Sequence, residues 1–402
     1  MTQYSNFRLR YALAFVCLFL MAVGPVQAQR SPKQPPQDSI SPPAPRMDYI
    51  GVLTSSADAD DSQSACAPII HLFKGRGPAP GKKSKCDRAI DLLAGPADPV
   101  PVMKLAKPRT VTTDSEQRVI VSDPGAHAVH IFDLDRHKYV RIAGGPSTRL
   151  SGKATRLRTP SGVAVDSQDN IYISDIKQGM IVVYDSRGKF LRYIGKIHDE
   201  GSYDRPTAIA IDRNTDRLYV VDTPRNLVLI QDASGKLLRA IGKRGGGSAP
   251  GEFLYPTDVA VAGGELIVAD AKNSRLQFFD LDGNFRSQVP IAVTAAGKRN
   301  PEVSLAVDSQ DNIYVTNTAL DSVRVYNHQG QLLGAFGQLG RKQGEFNTPA
   351  GVWVDSHNRI YVADADNHRV QMFQLGNLQP DNTVAAPRPQ QSVRQGPSSP
   401  EL

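Results

Sequence analysis

Acidic residues recur along this 402-residue sequence at nearly constant intervals. Asp123, Asp175, Asp222, Asp270 and Asp364 each close a short run of β-branched and aromatic residues, and Asn317 takes the same place in one further run. Asp114, Asp166, Asp212, Asp308 and Asp355 close the run before it. Carboxylates in series suggest metal only where several converge. At one per repeat they are too far apart to share an ion, and Asp or Asn at a strand end ordinarily caps the next turn through its own side chain. Both series therefore read as structural. The eight histidines form no HExxH or CxxCH spacing. His127, His198 and His368 fall in loops expected on one face, which leaves a zinc site open as the minor reading. No GxSxG or Walker loop occurs, and the glycine-rich stretch 242–253 joins two strands instead of opening a helix that could cradle phosphate. No catalytic residue, metal or cofactor is assigned.

The elements that must position these residues follow from repetition. Pro108, Pro160, Pro206, Pro256, Pro301 and Pro349 open successive units spaced 52, 46, 50, 45 and 48 residues apart. Each unit holds up to four short apolar runs separated by Asp, Asn and Gly turns, as in PSGVAVD, IYISD, IVVYD and FLRYIG. Four β-prone runs per unit predict four antiparallel strands, and six such units near this period predict an all-β fold, a six-bladed β-propeller. The runs alternate weakly because strands in stacked blades are covered on both faces. The last unit stops after its third run, VQMFQL. A strand from the amino-terminal side is expected to complete it and close the ring, hiding the open sheet edge. AIDLLAG at 89–95 has the Leu-Leu and Gly of the fourth runs and is assigned that role; MDYIGVL is a further strand without an assigned place.

The pattern PxGVxVD, then RIYVAD, then NHRVQMF, at Pro349 to Phe373, resembles the NHL repeat, and the loop GxxGxxxGEFxxP at Gly337 to Pro349 strengthens the resemblance. It covers about residues 89–375. NHL-type propellers include protein- and RNA-binding modules, sensor domains and an amidating lyase, so the resemblance implies the fold and does not select a function.

Outside the repeats, Arg8 and Arg10 precede an apolar stretch ending in Val26-Gln27-Ala28, which reads as a cleaved signal peptide over 1–28. An uncleaved anchor is the lesser reading, since the strongly apolar part is about 14 residues and a span needs roughly 20. Cleavage removes two Arg and no acid, so the net charge falls from +7 to +5, and the mature chain is expected in the periplasm or outside the cell. Cys66 and Cys86 then remain, and in an oxidising compartment they are assigned a disulfide, worth about 3 kcal/mol in the chain-entropy account; a reactive thiol is the alternative. The proline-rich segment 29–46 reads as a disordered tether and 376–402 as a disordered tail. Residues 47–106 form an extension with the closing strand, and 107–375 the propeller.

Charge narrows the function. Loops joining successive blades should emerge on one face, and they carry Arg149, Lys153, Arg156, Arg158, Lys243, Arg244, Lys298, Arg299, Arg341 and Lys342. Such a face favours an anionic partner and speeds its encounter. A solvated rim serving solubility is the plainer alternative. Without aromatic residues interleaved for base stacking, nucleic acid is excluded as the partner. A protein, or an anionic envelope polymer or lipid headgroup, fits an exported chain, and no membrane span remains after cleavage. The expected function is a non-catalytic binding or scaffold module. The second reading is a metal-dependent lyase or lactone hydrolase at the central channel mouth, where Asp258 and Glu302 stand on adjacent blades with Arg109 as counter-charge. Trp353 replaces the alanine of neighbouring first strands and is read as packing.

Overall fold

The computed structural model describes residues 47–55, 104–147, 154–195, 203–291 and 302–375. They form six antiparallel sheets of four strands and one two-stranded hairpin, Gly144–Ser147 with Ala154–Arg156. Each sheet is a blade. The first strands, beginning at Thr110, Pro160, Pro206, Pro256, Val303 and Pro349, lie innermost and pack successively on one another, the sixth on the first. The ring is an all-β six-bladed propeller, as the repeat period predicts.

The second and third strands carry the core. Val119–Asp123, Ile171–Asp175 and Leu227–Gln231 are buried at every position. Apolar residues on one face of a blade meet those of the preceding blade, and residues on the other face meet the next, which is why these runs do not alternate. A fully buried Val or Ile contributes about 1.5–3 kcal/mol. The fourth strands have only one covered face, and Leu191, Leu238 and Phe285 on them are exposed.

Closure differs from the expectation in one respect. Met47–Leu53, not AIDLLAG, is the outermost strand of blade six, pairing antiparallel with Arg369–Leu375 from Met47 opposite Leu375 to Leu53 opposite Val370. Leu53 is buried against Leu105, Val370 and blade-one residues, so this strand ties the last blade to the first. AIDLLAG lies outside the described residues, as do the signal segment, the tether, Cys66, Cys86 and the tail.

Hydroxyls stitch neighbouring blades together. Ser161 Oγ donates to Thr207 O at 2.6 Å, Thr223 Oγ1 to Pro256 O at 2.6 Å and Thr257 Oγ1 to Val303 O at 2.8 Å, each bond crossing from one blade to the next. The last seam is closed by Trp353, whose Nε1 donates to Thr113 Oγ1 at 3.0 Å. Glycine is required beside it: a Cβ on Gly351 would stand 2.2 Å from Arg109 O.

Candidate functional site

The recurrent carboxylates are structural. Asp123, Asp175, Asp222, Asp270 and Asp364 are completely buried, and each accepts backbone N–H bonds from the loop leading into its own blade. Examples are Arg158 and Thr159 to Asp175 at 2.6 and 3.1 Å, and Asn347 to Asp364 at 2.7 Å. Asp123 has its pKa lowered: burial pushes it up, but bonds from His130 and from Ala106, Lys107 and Ala126 outweigh that. The other series caps turns. Asp166 Oδ1 accepts from Gln168 N and Asn170 N at 2.9 and 2.8 Å, and Asp355 does the same for His357 and Arg359. Among the described residues no three His, Cys, Asp or Glu side chains converge as metal ligands. His127 and His368 each place Nδ1 on a backbone carbonyl of the loop entering the next blade, Arg158 and Ala106 respectively; His198 lies outside the described residues.

At the channel mouth, Arg109 Nη1 donates to Glu302 Oε1 at 3.5 Å, reaching from blade one past blade six to blade five. Asp258 sits one seam further round. Its two oxygens accept from Val259 N at 2.8 Å and Leu305 N at 2.9 Å, so its carboxylate joins blades four and five. Burial pushes its pKa up to about 6, against bonds from Ser304, Leu305 and Val259 and the charge of Arg109. Some solvent reaches this side chain along the channel wall, but protein surrounds it, and that enclosure governs its ionisation.

The inter-blade loops and the turns between second and third strands share one face, since the capping aspartates at the ends of the second strands bond the lead-in loops. On it Arg156, Arg158, Arg244, Arg341 and Lys342 are exposed, while Lys243 pairs with Glu252 at 3.1 Å. Arg149, Lys153, Lys298 and Arg299 lie outside the described residues. The structure adds Lys177, Arg205 and Lys272 to this face, all exposed. Lys177 and Lys272 each stand two residues after a capping Asp, a spacing visible in the sequence. Lys272 Nζ lies 4.8 Å from the Tyr255 ring centroid, within cation–π range.

Two of the basic loops are held rigidly. In blade six, Arg369 Nε bonds Asp364 at 2.7 Å, its Nη2 donates to Lys342 O and Glu345 O, Gln371 Nε2 donates to Glu345 O at 2.7 Å, and Asn367 Nδ2 donates to Gly340 O at 2.8 Å. Blade four repeats the set: Arg275 bonds Asp270, Ser248 O, Ala249 O and Glu252 O, Gln277 bonds Glu252 O, and Asn273 bonds Gly247 O. Gly344 N and Gly251 N return bonds to the two glutamines at 3.0 and 2.8 Å. The residues that do this are the Asn, Arg and Gln of NxRxQ, and the loops they clamp are the GxxGxxxGEF stretch 337–346 and its counterpart 242–253.

Residues 346–373 match the NHL repeat, and residues 209–296 match a six-bladed β-propeller family of unknown function, DUF5128. The ring is a six-bladed propeller that carries an NHL repeat in its last blade. Among curated relatives it is 34% identical over 140 residues to Protein brain tumor of Drosophila melanogaster, covering 33% of this chain and 13% of that protein. To the B-box type zinc finger protein ncl-1 of Caenorhabditis elegans it is 32% identical over 136 residues, 33% of this chain and 15% of that one. The chain thus matches a small part of each relative's length. Among solved structures, a protein of unknown function from Bacteroides thetaiotaomicron aligns with 15% identity over 68% of this chain and 70% of its own, TM-score 0.50. Virginiamycin B lyase from Staphylococcus aureus aligns with 13% identity over 68% and 96%, TM-score 0.47. At these identities the likeness concerns the ring alone.

Proposed function

We propose that this NHL propeller is a non-catalytic binding module that receives an acidic protein partner on its basic loop face. The observation that carries the reading is the set of exposed cations on one face, Arg156, Arg158, Lys177, Arg205, Arg244, Lys272, Arg341 and Lys342, part of it mounted on loops clamped by buried side chains. A cation on a rigid loop loses little entropy when it meets a carboxylate, so preorganisation adds to charge attraction. At the channel mouth the acidic Glu302 already meets the protein's own Arg109. The Arg8, Arg10 and Ala28 pattern supports an exported setting.

The reading is tested by fluorescence anisotropy with a poly-glutamate peptide. Binding should weaken steeply as salt rises from about 0.05 to 0.5 M, where the screening length falls to a few ångströms. It should be lost in the Arg156→Glu, Arg158→Glu, Lys177→Glu triple variant. Salt-independent binding, or binding unchanged in that variant, refutes it.

A further inference from the structure

On the face opposite the basic loops, the turns between first and second strands latch one blade to the next. Ser115 N and Oγ both donate to Asp169, the N–H at 3.0 Å, and Ser167 N and Oγ repeat the pair of bonds to Asp216 at 2.8 Å. Ser309 N reaches Asn358 at 3.3 Å, and Gln117 closes the last seam through Ser356 and Arg359. Asp169, Asp216, Asn358 and Gln117 all sit at a left-handed position of their turns, with φ between +54° and +63°. Asp311 occupies that position in blade five, at φ +62°, but the residue that faces it from blade four is Gly263 and not serine. A Cβ on Gly263 would stand 3.6 Å from Asp311 Oδ1. The turn Ala262-Gly263-Gly264-Glu265 thus lacks the side chain that makes the latch.

What crosses this seam instead can change its charge. His328 Nε2, in the turn between third and fourth strands of blade five, bonds Glu265 Oε2 at 2.7 Å, with its ring 4.4 Å from that of Phe278. Arg286 lies 3.6 Å from the other oxygen of Glu265. Asp280 stands opposite Glu265 in the sheet, its own carboxylate taken up by Asp282 N and by Asn284. On the channel side the same two blades are joined by Asp258, whose carboxyl faces Ser304 and the guanidinium of Arg109, the latter paired with Glu302. A second histidine, His357, touches the seam between blades six and one, 3.2 Å from Gln117, but there Arg359 holds the glutamine at 2.8 Å.

We propose that the seam between blades four and five is the joint of the ring that answers to pH, closed in mildly acidic medium and loosened as the medium turns neutral. An imidazolium makes a charge-assisted bond to Glu265 about twice as strong as the neutral one, and histidine loses that charge near neutral pH. Asp258 works in the same direction. Burial raises its pKa to about 6, so the enclosed group is uncharged in acid and carries a costly charge above that value. Both contributions are present at low pH and both fade as pH rises. Glu302 leads directly into Val303–Val307, the strand that Asp258 holds, so movement at this seam reaches the channel mouth.

Amide hydrogen exchange of the full chain at about pH 5 and about pH 7.5, corrected for the intrinsic effect of pH, tests the joint. Protection of Val303–Val307 and of the turn 326–330 should fall about tenfold between the two conditions, the change in an equilibrium that one unit of pKa displacement carries. Protection of Pro206–Asp212, at the seam between blades two and three that Ser167 and Asp216 hold, should stay level. His328→Gln keeps a donor for Glu265 but cannot change charge, and should flatten the response of the turn. Asp258→Asn should flatten that of the strand. An equal fall at both seams, or no fall at either, overturns the proposal on the native chain alone. So does a pH response that survives both substitutions in folded protein.

Discussion

Blade six and blade three begin from the same buried aspartate and diverge within seven residues. In blade six, Arg369 and Gln371 convert Asp364 into the root of a bonded network that grips the loop carrying Arg341 and Lys342. In blade three, Asp222 still receives Asp204 N and Arg205 N, but the strand that leaves it is leucine where the network would be. The repeat therefore separates two tasks. Its aspartates hold each blade to its lead-in loop, and in blades four and six its third strand adds further side-chain bonds to that loop.

The contrast can be broken most severely from the blade-six side. Arg369→Ala leaves the completely buried Asp364 without its guanidinium, and removal of one partner of a buried pair is expected to cost about 3–5 kcal/mol in chemical denaturation. Arg225→Ala, at a partly exposed site in blade three, should cost far less. Next comes the seam between blades four and five. Asp258 has its pKa raised to about 6, so the native state keeps a proton that the unfolded chain releases near pH 4. Stability of the native protein relative to Asp258→Asn should be greatest below that range and fall as pH rises through 6, by about 3 kcal/mol in total at 1.36 kcal/mol per unit. Denaturation midpoints of both proteins from pH 4 to 7 measure it, and parallel curves would contradict the enclosure described above. Importing the blade-three residue into blade six, Gln371→Leu, should cost about 2 kcal/mol by stranding Gly344 N and removing one of the two bonds to Glu345 O. It should also loosen the loop 338–346, visible as faster amide hydrogen exchange there. Trp353→Phe keeps the ring and loses the bond to Thr113, and about 1 kcal/mol is expected.

Second and third strands were legible in the sequence because burial on both faces restricts them to Val, Ile, Leu and aromatic residues, and because Asp must follow. The structural role of both aspartate series was legible from position in the repeat, but the partner was not: Asp222, Asp270 and Asp364 were expected to cap the next turn and instead bond the loop leading into their own blade. Fourth strands were legible where they kept an apolar run, as in Phe190–Ile194, Leu237–Gly242 and Leu332–Phe336. With one face in solvent others accept Arg, Ser or Lys freely, as in Lys138–Ile142 and Phe285–Pro290, so a fourth-run likeness at 89–95 was preferred to MDYIGVL, which is the strand that closes the ring. The basic loops were read from charge alone, but the clamp beneath two of them was hidden: the Asn, Arg and Gln of NxRxQ read as ordinary polar strand residues until the bonds of Arg369 and Arg275 to the buried Asp364 and Asp270 are seen.

Met47 and Leu375 stand opposite each other in the closing pair. Third strands run away from the basic face, so the chain reaches the ring and departs from it at one spot on the far side. Whatever is carried before Met47 or after Leu375 hangs from a common suspension point. An anchor or fusion at either terminus would present the arginine-bearing loops outward, like a shield gripped from behind.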